Sequence, residues 1–379
     1  MKIIVSPNAF KGSMSGFEAA AAIALGVSRV IPDARILCMP VADGGDGLVD
    51  ILCQALGGKM IKEIVTGPLR HKVNASYCYI AESRTGIVEM AKASGLALLD
   101  DNEKNPELTT TYGTGQLIKK CLDRGAERIV VGLGGSATCD GGIGAAAAFG
   151  YRFYDDSGKE LDPIGANLTK IKNIDRTSVD TRFETIIIEA VCDVTNPLTG
   201  IQGASFVYSP QKGADKEQVV RLDEGLQNLA SVILRDLGIA VDMIPGAGAA
   251  GGLGAGVHAF FKGRLRKGID LVMDLIELQD KITGADLVIT GEGRMDAQTK
   301  FDKAPAGVAK IAKKNGVPCI ALCGSIGDNI SELYDQGIDA VFSICREPMG
   351  LDKAIRYGEH LLADAAEQAM RLFIISRER

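Results

Sequence analysis

The chain has few histidines, no long apolar run and no excess of positive charge. His71, His258 and His360 stand far apart among 379 residues, so neither a His-ligated metal centre nor a Ser-His-Asp triad is expected. No segment approaches the roughly 18–20 continuous apolar residues of a membrane span. The first residues, Met1-Lys2-Ile3-Ile4-Val5-Ser6, lack the basic region, apolar stretch and cleavage site of a secretory leader. Asp and Glu number 48 against 42 Lys and Arg, a net charge of −6. No basic block occurs, which argues against a nucleic-acid partner. The nine cysteines are odd in number, scattered and mostly within apolar runs. They read as buried thiols in a reducing compartment. These absences lead to the expectation of a cytoplasmic protein.

What is present is ordinary for a globular chain: 46% hydrophobic and 24% charged residues, with length enough for two domains. Glycine is the outlier. It supplies 46 of 379 residues, about 12% against roughly 7% on average, and it clusters directly after apolar runs.

Lys2–Val5 reads as a strand. Ser15 and Glu18 have the spacing of a capping box, so a helix is predicted from Gly16 to about Val30, and Arg35–Val41 is a second strand. Between Lys59 and Gly95 short β-like runs (Ile61–Val65, Val73–Ile80, Gly86–Met90) are separated by turn residues, a pattern that looks antiparallel. A helix follows Thr109–Thr114 and closes at Gly125. Strands Arg128–Leu133 and Thr185–Val191 come next, then an amphipathic helix over Lys216–Leu237. After about Ile282 strands and helices alternate again: Asp286–Thr290, Ala304–Lys314, Pro318–Cys323, Ile338–Ile344 and a long helix over Asp352–Phe373. The predicted fold class is α/β. Residues 1–65 and 282–379 form a parallel, helix-covered sheet of Rossmann or flavodoxin type. Residues 66–281 are an inserted α/β domain with a mixed or antiparallel sheet.

One arrangement recurs four times. A strand ends and Gly with polar residues follows at once, at Asn8–Ser13, Asp43–Gly47, Gly134–Gly142 and Gly291–Asp296. In open α/β sheets such strand ends line the ligand crevice, Gly lets backbone approach a ligand, and helix N-termini offer N–H groups to anions. Taken singly, each is an ordinary strand-to-helix turn with a polar cap. Together they form a candidate phosphate site. Lys11 would be a point charge for phosphate or carboxylate. Asp43, Asp46, Asp193, Glu292 and Asp296 could supply both Mg²⁺ ligands and a proton acceptor. Glu292 and Arg294, fixed at a strand end, read as functional, with a simple salt bridge as the lesser alternative, and Lys212 is a further loop cation. Gly246–Gly251 fits G-x-G-x-x-G, with Ile239–Ile244 before it as a candidate strand, but Pro245 interrupts the junction and the glycines continue to Gly256.

The strings Pro7–Ser13, Pro40–Gly47, Val65–Leu69, Gly134–Thr138, Asp193–Leu198, Pro210–Ala214, Gly246–Gly254 and Gly291–Asp296 resemble, in order and over nearly the whole chain, the bacterial glycerate kinase family (glycerate 2-kinase type). The resemblance implies ATP-dependent phosphorylation of D-glycerate, usually to 2-phosphoglycerate. It also implies two α/β domains with the site in the cleft between them, and ATP and Mg²⁺ as cofactors. On that basis Asp193, Lys11 and Lys212 are expected to be catalytic, with Asp193 taking the hydroxyl proton. Arg294, Ser136, Thr138 and Asp43 are expected to hold the substrate. Gly44, Gly45, Gly291, Glu292, Gly293 and Lys303 would hold nucleotide phosphates, and Asp43, Glu292 and Asp296 the metal. The chain departs from the family's usual pattern at Asn8 (more often Asp), at Asp46-Gly47-Leu48 (more often Glu-Gly-Thr) and at Asp302 (more often Gly). Two rival readings remain: a dehydrogenase of a small hydroxy acid, resting on Gly246–Gly251, and a non-catalytic ligand-binding relative, resting on Asn8 and Asp302.

Overall fold

A computed structural model describes residues 1–42, 48–296, 299 and 303–375. Its strands are β1 (Lys2–Val5), β2 (Arg35–Cys38), β3 (Lys59–Thr66), β4 (Lys72–Ile80), β5 (Thr85–Glu89), β6 (Arg128–Gly132) and β7 (Arg152–Tyr154), followed by β8 (Asn173–Asp175), β9 (Ile187–Val191), β10 (Arg264–Arg266), β11 (Leu287–Met295), β12 (Cys319–Ile326) and β13 (Ala340–Ser343). The chain divides into two units, residues 1–43 with 268–379, and residues 44–267.

In the first unit both chain ends build one sheet of order β13-β12-β11-β1-β2, parallel throughout. Counted along the unit, that order is 2-1-3-4-5, the flavodoxin-like one. Its central strands β1 and β11 are apolar on both faces because helices cover both: Ile3, Ile4, Val5, Leu287, Val288 and Ile289 are all buried. The helix Gly16–Ser28 starts where predicted, with the Ser15–Glu18 capping box formed. The long C-terminal helix is two pieces, Leu351–Arg356 and Gly358–Ile375. The break comes where the Ser13 hydroxyl donates to the Ile355 carbonyl at 2.9 Å, taking an oxygen from the helix ladder.

In the second unit six strands run β10-β9-β6-β5-β4-β3. Pairs β3–β4 and β4–β5 are antiparallel, and the rest are parallel. The helix Lys216–Leu237 begins at an Asp215–Gln218 capping box and ends at a left-handed Gly238. Behind the sheet Phe149, Phe183 and Phe261 meet edge to face, with centroids 4.9–5.8 Å apart.

Two expectations from the sequence are corrected here. Ile239–Ile244 is not a strand. The strand that flanks β9 is instead β10, Arg264-Leu265-Arg266. Its charges disguise it as a loop, but Arg266 and Arg128 both reach the buried Glu189, at 3.2 and 2.8 Å. The cysteines are not uniformly buried thiols. Cys38 is exposed and Cys53 is joined to Cys78 in a disulfide, helix Leu48–Ala55 resting on β4 at that point. No helix among the described residues is long and apolar enough to cross a membrane.

Candidate active site

In the second unit, β6 and β9 are parallel neighbours with Gly132 opposite Val191. Their carboxyl ends therefore lie side by side, and the segments that follow, Leu133–Gly142 and Cys192–Asn196, are brought together. A pocket of about 360 Å³ opens there, with Ser136, Asp193 and Lys212 in its wall. Three residues that the sequence places far apart thus share one cavity.

Lys212 is the centre of this arrangement. It ends the short turn Pro210–Lys212 ahead of a left-handed Gly213, and only 2% of it is exposed. Its Nζ donates to Ser136 Oγ at 2.8 Å and to the Thr138 carbonyl at 2.7 Å. Burial lowers its pKa to about 8, against an upward pull from Cys139 and Asp140. Beneath it Asp140 is fully buried and accepts from Thr111 N (2.7 Å), Thr111 Oγ1 (2.8 Å), Gly142 N (3.1 Å) and Gly144 N (3.2 Å). Burial pushes this carboxyl up against the pull of those donors. Asp140 thereby ties the loop after β6 to the start of the helix Tyr112–Asp123. Thr138 is fully buried, and its hydroxyl has no hydrogen-bond partner among the described residues. It contributes its carbonyl to Lys212 and is not part of the pocket wall. Asp193 is exposed at the pocket edge.

The run Gly246–Gly251 packs backbone to backbone. A Cβ on Gly251, where φ is +66°, would sit 1.9 Å from the Thr138 carbonyl oxygen, and one on Gly248 would sit 2.3 Å from that of Pro197. These glycines hold the floor under Ala249 and Ala250, which line the pocket, and no strand precedes them. The strand–turn–helix context that a dinucleotide fingerprint needs is absent.

In the first unit, β1 and β11 flank the point where the strand order reverses. Asn8 N donates to the Gly291 carbonyl at 2.8 Å, and a Cβ on Gly293 would lie 3.4 Å from Lys11 N. The loop after β1 therefore lies along the end of β11. Glu292 is 6% exposed and its Oε1 accepts from the buried Thr299 hydroxyl at 2.7 Å. Thr299 in turn accepts from Asp296 N at 3.1 Å. Arg294 Nε pairs with Asp296 Oδ2 at 3.2 Å while its side chain is 70% exposed, and Lys11 is exposed. Gly291 is buried against β12, where a Cβ would meet the Leu322 carbonyl oxygen at 2.0 Å. Lys303 caps the helix Ala304–Lys314 through its backbone position. Asp43, Gly44, Gly45, Asp46, Gly47 and Asp302 lie outside the described residues. Among the described residues no group of three or more His, Cys, Asp or Glu side chains gathers round a common point.

Sequence reasoning passed over several participants. Gln211 sits inside the Pro210–Gly213 string and lines the pocket, and Asp140 sits inside the glycine-rich loop it organises. Tyr208, whose hydroxyl donates to Asn196 Oδ1 at 2.6 Å, and Thr299 carry no sequence signal. Their partners lie across turns.

A flavodoxin-order sheet with charged residues at its switch point, and a second sheet whose strand ends enclose a buried cation, define an α/β protein that handles small anions. Residues 3–374 match the glycerate kinase family. The chain is 46% identical to glycerate kinase of Bacillus cereus (strain ATCC 10987 / NRS 248), with 100% of both chains covered. It is 44% identical to glycerate 2-kinase of Escherichia coli K12, covering 94% of this chain and 93% of that one. Its structure matches that of putative glycerate kinase 2 from Salmonella typhimurium LT2 with a TM-score of 0.91 at 42% identity, over 100% of each chain. The chain belongs to the glycerate kinase family. These relatives carry kinase names, which gives no support to the dehydrogenase or the non-catalytic reading.

Proposed function

We propose that this protein transfers the γ-phosphoryl group of ATP to D-glycerate, giving 2-phosphoglycerate and ADP. The observation that carries this reading is the end-to-end similarity to proteins named glycerate kinase and glycerate 2-kinase. The pocket that groups Asp193, Ser136 and Lys212 supports it.

In this reading the acceptor hydroxyl of glycerate attacks the γ-phosphorus. The new O–P bond forms as the bond to the β-γ bridging oxygen breaks, ADP departs, and Asp193 takes the hydroxyl proton. Lys212, buried among apolar groups, stabilises negative charge more effectively than an exposed cation would. Lys11 and Arg294 supply positive charge to the phosphates of ATP, Asp43 adds a contact to the acid, and Ser136 positions the acid. Thr138 acts through Lys212. Gly44, Gly45, Gly291, Gly293 and Lys303 are assigned to the nucleotide phosphates. Mg²⁺ favours one or two carboxylates plus substrate phosphates. Glu292 and Asp296, joined through Thr299 at the end of one strand, are a donor set of that kind, with Asp43 as the third candidate. When bound, the ion would offset charge on the β- and γ-phosphates.

A coupled ADP-release assay with D-glycerate, followed by phosphorus NMR of the product, tests this reading. ADP should appear in step with a phosphomonoester on the secondary carbon. ADP release no faster than in the acid-free blank refutes the kinase reading, and a primary phosphate corrects the regiochemistry alone.

A further inference from the structure

We infer that Lys212 and Ser136 together form the seat for the carboxylate of the acceptor acid, and so set the requirement for an acid. This rests on the function proposed above for its choice of ligand. The argument starts from hydrogen-bond parity. A lysine ammonium has three N–H donors and no acceptor, and a serine hydroxyl has one donor. Lys212 Nζ donates to Ser136 Oγ at 2.8 Å, so Ser136 is the acceptor in that bond. The hydroxyl hydrogen of Ser136 must then point to another acceptor, and none is present among the described residues. Lys212 uses a second N–H on the Thr138 carbonyl, and its third has no acceptor among them either. Both side chains line the 360 Å³ pocket. Two donors, one carried by a cation, are thus left side by side at a cavity wall, which is what an oxyanion needs.

The size of the acid identifies which oxyanion. In glycerate the carboxylate carbon is bonded directly to the carbon that bears the 2-hydroxyl. If Asp193 takes the proton of that hydroxyl, the carboxylate must lie in the same pocket. Lys212 is the only cationic side chain among the described residues that line it. The remaining wall is largely apolar, with Leu133, Val191, Ala249 and Ala250. A carboxylate there meets little water and needs both donors. A neutral amide of the same shape offers one accepting oxygen and an NH2 that only donates, so it leaves one of the two donors facing another donor and the buried ammonium without a counter-charge. The pair therefore selects 2-hydroxy acids against the corresponding amides and polyols.

The test compares D-glycerate with D-glyceramide, in which the acid becomes a neutral amide, using wild-type protein, Ser136→Ala and Lys212→Met. The wild type should prefer the acid by about a hundredfold or more in kcat/KM. Ser136→Ala should raise KM for D-glycerate about tenfold while KM for ATP and kcat stay within about twofold. Lys212→Met should reduce the preference for the acid over the amide to within about fivefold. A fall in kcat with KM for D-glycerate unchanged would place the pair on the transferring phosphoryl group and overturn the assignment. Calorimetric titration of D-glycerate without nucleotide keeps the two readings apart. Binding that is weakened about tenfold in Ser136→Ala supports the seat even if no ADP is released, which would refute the kinase reading alone. Equal affinity in Ser136→Ala and wild type overturns the seat whatever the turnover. Ser136→Ala removes a single hydroxyl at the pocket wall, so it keeps the test valid if Lys212→Met fails to fold.

Discussion

The loop after β6 and the end of β11 carry the same kind of residues and treat them differently. Around the loop after β6 the charged groups Asp140 and Lys212 are buried and held in place, Asp140 by four donors and Lys212 by two acceptors. At the end of β11, Glu292 and Thr299 are buried, but Lys11 and Arg294 project into solvent. A desolvated, rigid seat suits a small acid of fixed shape. Exposed cations on long stems suit a polyphosphate, which has many oxygens and several conformations. The contrast teaches that similar glycine-rich sequence strings can build either kind of surface, depending on what lies beneath the loop.

Asp193→Asn gives the largest expected effect. Turnover should fall by about 10²–10⁴-fold with KM for ATP nearly unchanged, read in the coupled assay. Wild-type-like turnover removes Asp193 from its role. Next is Gly251→Ala, which puts a Cβ onto the Thr138 carbonyl at a left-handed backbone position. It should cost about 3 kcal/mol or more in urea unfolding. A cost below about 1 kcal/mol would mean that the pocket floor gives way easily. Reduction of the Cys53–Cys78 bond, which spans 25 residues, should cost about 3 kcal/mol. Calorimetry with and without a phosphine reductant should show the loss in the transition of the second unit.

The titration of Lys212 follows. Its folded-state pKa, about 8, lies below the ordinary value of 10.5. Between those limits the unfolded chain holds the extra proton, so this group's contribution to stability rises with pH across the window. Recognition of the acid runs the opposite way, because a neutral amine cannot balance a carboxylate. The acidic groups around Lys212 are Cys139 and Asp140 beneath it, and Cys192, Asp193 and Tyr208 on the same pocket. Accordingly kcat/KM for D-glycerate should decline as pH rises through about 8, while resistance to urea improves. A flat kcat/KM profile from pH 7 to 10 would count against a charged Lys212 at the site. Arg294→Ala gives the smallest effect on the fold, under about 1 kcal/mol, since its partner lies at the surface. Its effect should be confined to substrate KM values.

Much of this was legible in the sequence. The Ser15–Glu18 capping box marked the start of Gly16–Ser28, because a cap is a local hydrogen-bond device written within four residues, and the periodic apolar face marked Lys216–Leu237. The central strands of the first sheet read clearly because both faces are buried and the runs Ile3–Val5 and Leu287–Ile289 are uniformly apolar. The charged strand β10 escaped, since its stability comes from Glu189, more than seventy residues away. The Cys53–Cys78 bond escaped for the same reason: spacing does not reveal which thiols fold together. At the site, Lys212 was visible only as a loop cation. Its burial and its grip on Ser136 depend on the β6–β9 register, which no local string encodes. The four glycine-rich loops were found, but the purpose of Gly248, Gly251 and Gly291 was not. A Gly that avoids a neighbouring carbonyl looks the same in sequence as one that admits a ligand.

The pairing of β1 with β11 has a consequence for how the molecule is made. Lys2 and Asp286 are hydrogen-bonded across a separation of 284 residues. On a ribosome adding 5–20 residues per second, the N-terminal strand must wait roughly 15–60 s for its neighbour to be synthesised. Throughout that interval Ile3, Ile4 and Val5 can pair only with β2, whereas the second unit, encoded without interruption, can already close. A strand made well before β11 is thus among the last to find its full place, and chaperone capture of nascent chains should centre on it.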